Sequence, residues 1–140
     1  MSKHNYDANM KDIEQINIPI YKTCLWVYFG SPEECEKALR NKNVSERYIS
    51  IFKHQCNSTV DGLYLYEEEE NLSLLWLNDI PYSVADCGIL VHEIEHYVFN
   101  LFDRIGMEHT TASDEAYAYM IGYVFSEIYC IISRVNDEKA

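Results

Sequence analysis

The chain has 140 residues and a formal net charge of −12, from 11 Lys and Arg against 23 Asp and Glu. Hydrophobic residues make up 48% and aromatic residues 14%, a composition that forms a core and excludes a disordered chain. Such an acidic surface repels phosphates and anionic lipids, so we expect neither nucleic acid nor a membrane as partner, and leave the oligomeric state open.

Residues 1–140 are expected to form a single cytoplasmic domain. The five cysteines are scattered and form no C-x-x-C pair, which indicates free thiols. The N-terminus shows no signal-peptide pattern, and we expect no apolar stretch of the roughly 20 residues needed to cross a membrane.

The first half of the chain predicts strands and short helices. Residues 1–16 are polar and are expected to be a loose N-terminal segment. Ile18–Phe29 is rich in β-branched and aromatic residues and predicts a strand. A Ser-Pro start predicts a helix over 31–41, and 45–55 is expected to be a second short helix.

Two β-rich runs, Gly62–Tyr66 and Leu72–Leu77, predict a hairpin. Four consecutive glutamates, Glu67–Glu70, would form its tip. A solvated loop is the favoured interpretation of this run, and a cation site is the alternative.

Two long helices are predicted in the second half. The first covers about 83–105 and ends at Gly106. Thr111 and Asp114 have the spacing of a capping box that opens the second, which is expected to end near Arg134. Together these elements predict an α+β fold.

The first long helix contains the sequence His92-Glu93-Ile94-Glu95-His96, an H-E-x-x-H motif. Two imidazoles four residues apart lie on one helix face, so both can reach one metal ion, and Zn²⁺ accepts imidazole nitrogens. Glu93 is about 60° from His96 around the helix, where it can hold a water molecule bound to the metal.

The histidines are expected on a different face from the one that packs on the core. A helical wheel places the apolar residues of this helix on one face about 120° wide. These are Cys87, Leu90, Val91, Ile94, Tyr97, Val98, Leu101 and Ile105. His92, His96 and Glu93 fall on the opposite side, which is unusual for histidines that only fill a core.

A catalytic zinc needs a third protein ligand, and the candidates are His109, Asp114 and Glu115. A third histidine six residues after the motif is excluded, because Phe102 stands there. Glu115 is favoured. On the second long helix, Glu115 lies on the same side as Ala118, Gly122 and Ser126, opposite the apolar face. These small residues are expected to let the two long helices approach closely.

The H-E-x-x-H sequence, followed by the D-E-A-Y-A-Y sequence at 114–119, resembles the zincin metallopeptidases. The closest likeness is to the gluzincin type, in which a Glu on a later helix completes the site. The combination is similar to the small metallopeptidase-like proteins carried by phages and prophages. The resemblance covers about Leu77–Arg134.

This resemblance implies a small zincin-like fold, with N-terminal strands and a short helix followed by two long C-terminal helices that carry the metal site. It implies zinc on His92, His96 and Glu115, with Glu93 as the catalytic base. It also implies a strand before the active helix that pairs with an extended peptide or protein substrate.

Zinc-dependent hydrolysis of a peptide bond is therefore the leading functional hypothesis. Glu93 would take a proton from the zinc-bound water and pass it to the leaving amine. Tyr119, Tyr123 and His109 are candidates for stabilising the oxyanion or binding substrate. Asn100 and Asp103 are candidates for orienting a ligand histidine.

The alternative hypothesis is a non-catalytic acidic protein, such as an inhibitor or a phage accessory protein, with a structural or vestigial zinc site. A closed four-ligand shell would favour this alternative, and an open water position would favour catalysis.

Overall fold

The computed structural model describes residues 10–57 and 59–137. Its elements are β1 (Glu14–Ile18), β2 (Thr23–Phe29), α1 (Pro32–Asn41), α2 (Glu46–Gln55), β3 (Gly62–Glu67), β4 (Leu72–Leu77), α3 (Val84–Arg104) and α4 (Asp114–Asp137). The strands form one mixed sheet in the order β1-β2-β4-β3, with only β2 and β4 parallel. The predicted α+β class and the two long C-terminal helices are confirmed, and all five cysteines are free.

Helices cover both faces of the sheet. Phe52 of α2 contacts Trp76 of β4 edge-on, with ring centroids 5.9 Å apart. Tyr97 of α3 contacts Tyr64 of β3 in the same way, at 5.7 Å. Tyr64 lies opposite Leu75 in the β3–β4 ladder, so the two side chains point to the same face of the sheet. Trp76 follows Leu75 in β4, and its side chain points to the other face because successive residues of a strand alternate. The α2 and α3 helices therefore lie on opposite sides of the sheet, and β3 forms one of its edges.

The N-terminal segment is more ordered than the sequence predicted. Met10, Ile13 and Ile16 are buried, and Ile16 lies opposite Leu25 in the β1–β2 ladder. The prediction of a loose segment over 1–16 is thus wrong from residue 10 onwards, because these apolar side chains complete the core. Residues 1–9 lie outside the described residues.

The strand predicted over Ile18–Phe29 is interrupted: Ile18 ends β1, a tight turn follows, and Thr23–Phe29 forms β2. Pro19–Tyr21 forms a single 3₁₀ turn, in which the Lys22 amide donates to the carbonyl of Pro19 at 3.1 Å. Lys22 has a left-handed φ of 51°. Proline cannot donate to a strand ladder, and this explains why the chain reverses at this point.

The acidic tip of the β3–β4 hairpin binds to the start of α2. Arg47 forms ion pairs with Glu67, at 3.1 Å, and with Glu69. The hydroxyl of Ser45 donates to Glu70. The expectation of a solvated loop is wrong for Glu67, which ends β3 and is buried, whereas Glu68, Glu69 and Glu70 are exposed as expected.

The two long helices begin and end close to the predicted residues. Ser83 and Asp86 form a capping box at the start of α3, and Gly106 follows its end with φ 79°. At the start of α4 the structure differs from the prediction. The Asp114 carboxylate, which was expected to form a capping box with Thr111, instead pairs with His109 at 2.9 Å.

Within the described part of the chain, α4 alone is long and apolar enough to cross a membrane by length and composition. The sequence analysis expected no such stretch. One face of α4 packs into the core through Val124, Ile128 and Ile132, but only 28% of the most apolar part of the helix is buried.

Two glycines make a matched test of how α3 packs against β3. A Cβ atom added to Gly62 would lie 2.9 Å from Ile89 Cγ2 and 3.3 Å from Glu93 Cγ. We expect Gly62→Ala to lower the free energy of unfolding by about 1–3 kcal/mol. A Cβ at Gly88 meets nothing within 4 Å, so Gly88→Ala should instead raise the free energy of unfolding by up to about 1 kcal/mol. Urea denaturation of both variants measures the difference, and a neutral Gly62→Ala would contradict the close packing.

Candidate metal centre

The two histidines of the motif are brought together on the exposed side of α3. Their Nε2 atoms lie 3.1 Å apart and their ring centroids 4.7 Å apart. Two imidazole ligands on a tetrahedral zinc with Zn–N bonds of about 2.05 Å would be about 3.3 Å apart. His92 and His96 thus have nearly the spacing that one zinc ion requires.

Glu93 lies between the helix and the edge strand. It is only 8% exposed, and its carboxylate accepts a hydrogen bond from the backbone N–H of Tyr64. The missing side chain at Gly62 leaves room for its methylene groups. The helical wheel predicted Glu93 on the side of α3 away from the core, and this prediction is wrong because β3 packs against that side of the helix.

The position of Glu93 between α3 and β3 changes the acidity of its carboxyl group. Burial raises the pKa of Glu93 above its ordinary value of 4.5, while His96, His92 and the Tyr64 amide act in the opposite direction. A carboxylate that takes up a proton more readily than usual is suited to the role of general base near neutral pH.

An open cleft of about 480 Å³ adjoins the motif. His92 and Glu93 line one side of it, and Val60 and Gly62, at the start of β3, line the other. The cleft therefore brings the edge of the sheet, a histidine ligand candidate and the buried carboxylate to one solvent-accessible space.

The loop before α4 reaches the histidine side of α3 through Phe99. The His109 ring packs against Phe99 and Tyr117, with centroids 5.1 and 4.6 Å away, and its Nε2 pairs with Asp114. Over residues 10–57 and 59–137, however, no group of three or more His, Cys, Asp and Glu side chains has an arrangement that could hold a metal ion. Glu115 is exposed, and its role as third ligand stays a prediction.

The small residues of α4 do not face α3. Ala118, Gly122 and Ser126 are all exposed, and a Cβ at Gly122 would meet nothing within 4 Å. The expected close approach of the two helices along this face is therefore wrong. Instead, α3 and α4 meet through Tyr117, whose ring lies 4.6 Å from that of Phe102.

The other candidate residues lie in different surroundings. The hydroxyl of Tyr123 donates to the carbonyl of Asn17 at 3.0 Å, while Tyr119 is 76% exposed. Asn100 Oδ1 accepts from the Tyr64 hydroxyl at 2.6 Å, and Asp103 is exposed. Tyr64 therefore uses the oxygen of Asn100 that was expected to orient a histidine.

The sequence analysis missed the two strand residues that position Glu93, namely Gly62 and Tyr64. A glycine at the start of a predicted strand was the available signal, since glycine in a strand often marks a close approach of another segment. The hydrogen bond from the Tyr64 amide had no sequence signal, because any residue supplies a backbone N–H.

Comparison with protein-family models, curated proteins and solved structures finds no match to this chain. The interpretation of the site therefore depends on its own geometry and on the motif.

The buried carboxyl group predicts a pH dependence of stability in metal-free protein. Burial raises the pKa of Glu93 above 4.5, so the folded protein binds this proton more tightly than the unfolded chain does. The stability that follows is fully present below about pH 4.5 and is lost as the pH rises through the pKa of Glu93 in the folded protein. Glutamine can accept the Tyr64 N–H without a charge. Glu93→Gln should therefore be more stable than wild type at pH 8, and the difference should shrink towards pH 4.5.

Urea denaturation in the presence of a chelator at both pH values measures this difference. Glu95→Gln is the matched control, because Glu95 is exposed on the same helix. A difference between Glu93→Gln and wild type that is the same at both pH values would contradict the effect of burial.

Proposed function

We propose that this protein is a zinc-dependent peptide-bond hydrolase that acts in the cytoplasm. The observation that supports this proposal best is the arrangement of His92, His96 and Glu93. Two imidazole nitrogens 3.1 Å apart stand beside a buried carboxylate at the edge of an accessible cleft. A histidine pair and an adjacent carboxylate are the groups that a hydrolytic zinc site uses.

In this proposal His92 and His96 hold the zinc, and Glu115 is the favoured third ligand, with Asp114 and His109 as alternatives. When bound, zinc lowers the pKa of a coordinated water and polarises the carbonyl group of the substrate. Glu93 accepts the proton of the attacking water and delivers it to the leaving amine. The hydrogen bond from the Tyr64 amide favours the charged form of the Glu93 carboxyl group that accepts this proton.

An extended peptide is the proposed substrate. The strand β3 ends the sheet on one side, and it lines the cleft beside His92 and Glu93. The outer side of an edge strand offers unpaired backbone groups to an incoming chain, apart here from the Tyr64 N–H that Glu93 accepts. The position of this edge supports the strand pairing that the zincin resemblance implies.

The direct test combines metal content with hydrolysis. Protein purified without added metal should contain about one zinc per chain, measured by atomic emission. His92→Ala and His96→Ala should lose both zinc and cleavage of a peptide library. Glu93→Gln should keep the zinc and lose cleavage by a factor of at least about 100.

Glu95→Gln is again the matched control, since it removes an exposed carboxylate two residues away and should leave both properties unchanged. Wild-type protein that binds no zinc at micromolar concentrations would disprove the proposal. Undiminished cleavage by Glu93→Gln would disprove the assigned role of Glu93.

The third ligand is tested separately. Alanine variants of Glu115, Asp114 and His109 change one candidate donor at a time. We expect Glu115→Ala to weaken zinc binding, measured by calorimetry, by a factor of at least about 10, because a structural or catalytic zinc site needs more than two protein ligands. Loss of affinity in His109→Ala or Asp114→Ala, with Glu115→Ala unchanged, would move the assignment to that pair.

A second candidate function is favoured in its vestigial form by the absence of a three-donor group in the described part of the chain. A non-catalytic acidic binding protein, with a structural or vestigial zinc site, needs no open water position. Zinc that binds with a closed four-ligand shell, together with no cleavage of any library peptide, would favour this second function.

A further inference from the structure

A smaller cavity adjoins the cleft beside the histidine motif. The cleft of about 480 Å³ and this cavity of about 160 Å³ share two lining residues, Asp61 and Ile89. On α3, His92 lines the cleft and Asp86 lines the smaller cavity, six residues and about 9 Å earlier along the helix axis. The two spaces therefore lie end to end, and together they lead from the motif towards the start of α3.

The stretch between the motif and the smaller cavity has mainly apolar walls. Val60 lines it on the strand side, and Ala85, Gly88 and Ile89 line it on the helix side. A Cβ atom at Gly88 would meet nothing within 4 Å, so no neighbouring atom requires glycine at this position. Because Gly88 carries no side chain, the cleft stays open one helical turn before His92.

The far end of this space is acidic. Asp61, Asp79 and Asp86 all line the smaller cavity. The Asp86 carboxylate accepts the backbone N–H groups of Tyr82 and Ser83, so its charge is partly used at the start of α3. Over residues 10–57 and 59–137, the ion pairs of the chain involve neither Asp61 nor Asp79. These two carboxylates are therefore free to meet a cation from another molecule.

We propose that the cleft binds a Lys or Arg side chain of the peptide substrate, with the charged group at Asp61 and Asp79. Lys and Arg lay their hydrocarbon stems on apolar surface and keep the charged group in polar surroundings. Val60 and Ile89 offer the apolar surface, and the two carboxylates offer the opposite charge. The shape and the charge of the space thus match the same class of side chain.

Other occupants match this space less well. An acidic side chain would meet like charge, and a purely apolar one would remove water from the carboxylates without replacing its hydrogen bonds. A bare metal ion has no suitable donor group, since the described ranges contain no set of three acidic, His or Cys side chains that could hold one. A cation carried on a long apolar stem satisfies both parts of the space.

This inference rests on the proposed function, because it takes the cleft beside His92 and Glu93 as the place where a peptide lies. It adds the substrate class, namely peptides with a basic residue close to the bond that is cut. The net charge of −12 also favours the approach of such peptides over acidic ones.

Peptide binding to the full chain tests the inference without requiring turnover. A blocked hexapeptide of Ala and Thr carries either Lys or norleucine at one central position, and norleucine has the same stem without the charge. NMR titration with a chelator present measures both dissociation constants in the absence of hydrolysis. The Lys peptide should bind at least about fivefold more tightly, as expected for ion pairs with two exposed carboxylates.

Charge variants locate the interaction. Asp61→Asn and Asp79→Asn should each weaken binding of the Lys peptide by about two- to fivefold and leave the norleucine peptide unchanged. Asp103→Asn is the matched control, because it removes an exposed carboxylate of α3 that does not line the cleft. At an ionic strength of about 0.15 M, salt screens charges over about 8 Å, so this control should bind like wild type.

A further variant tests the space itself. Gly88→Leu places a side chain in the cleft and should abolish binding of both peptides. It should fold, since the position is open and leucine favours helix more than glycine does, and circular dichroism verifies this.

Equal binding of the Lys and norleucine peptides would overturn the inference. So would an equal loss in Asp61→Asn and Asp103→Asn, because the effect would then be one of net charge alone. Zinc-dependent cleavage with no preference for Lys or Arg near the cut bond would also overturn it, and would leave the hydrolase proposal intact. Lys-selective binding by a chain that takes up no zinc would support the cationic subsite and reject the hydrolase.

Discussion

The contact between α3 and the edge strand β3 determines the geometry of the candidate site. Gly62 lets the helix come close, and Glu93 uses that closeness to accept the Tyr64 amide hydrogen. The buried apolar residues of α3, among them Leu90, Ile94 and Val98, set the rotation of the helix, so that His92 and His96 are exposed while Glu93 lies against β3. A small change in the distance between helix and strand would therefore alter the accessibility of the histidines and the acidity of Glu93 at the same time.

The sequence predicted those features that depend on local patterns. Helix caps such as Ser83 and Gly106 and the apolar spacing of the long helices gave their bounds to within a few residues. Features that depend on distant residues were missed. The strand β1 forms because Ile16 finds a partner in the core, and Glu67 is buried because Arg47 of another helix reaches it. Periodicity describes a single helix, so it could not show which sheet edge covers Glu93.

The same limit applies to the metal ligands. Spacing within one helix was sufficient to place two imidazole nitrogens 3.1 Å apart. The position of Glu115 depends instead on how α4 is rotated against α3, and that rotation follows from Tyr117 packing on Phe99 and Phe102. The small residues of α4 were assigned to the wrong side for this reason.

The binding of the hairpin tip to α2 has a consequence for the edge strand. Arg47 holds Glu67 at the end of β3 from one side of the sheet, and Glu93 holds Tyr64 from the other. A strand restrained from both sides loses little conformational entropy when another chain adds to it. It also keeps one register, because a slip by one residue would bury the wrong side chains and break both contacts. The backbone of this sheet edge is therefore held in one conformation before any other chain pairs with it.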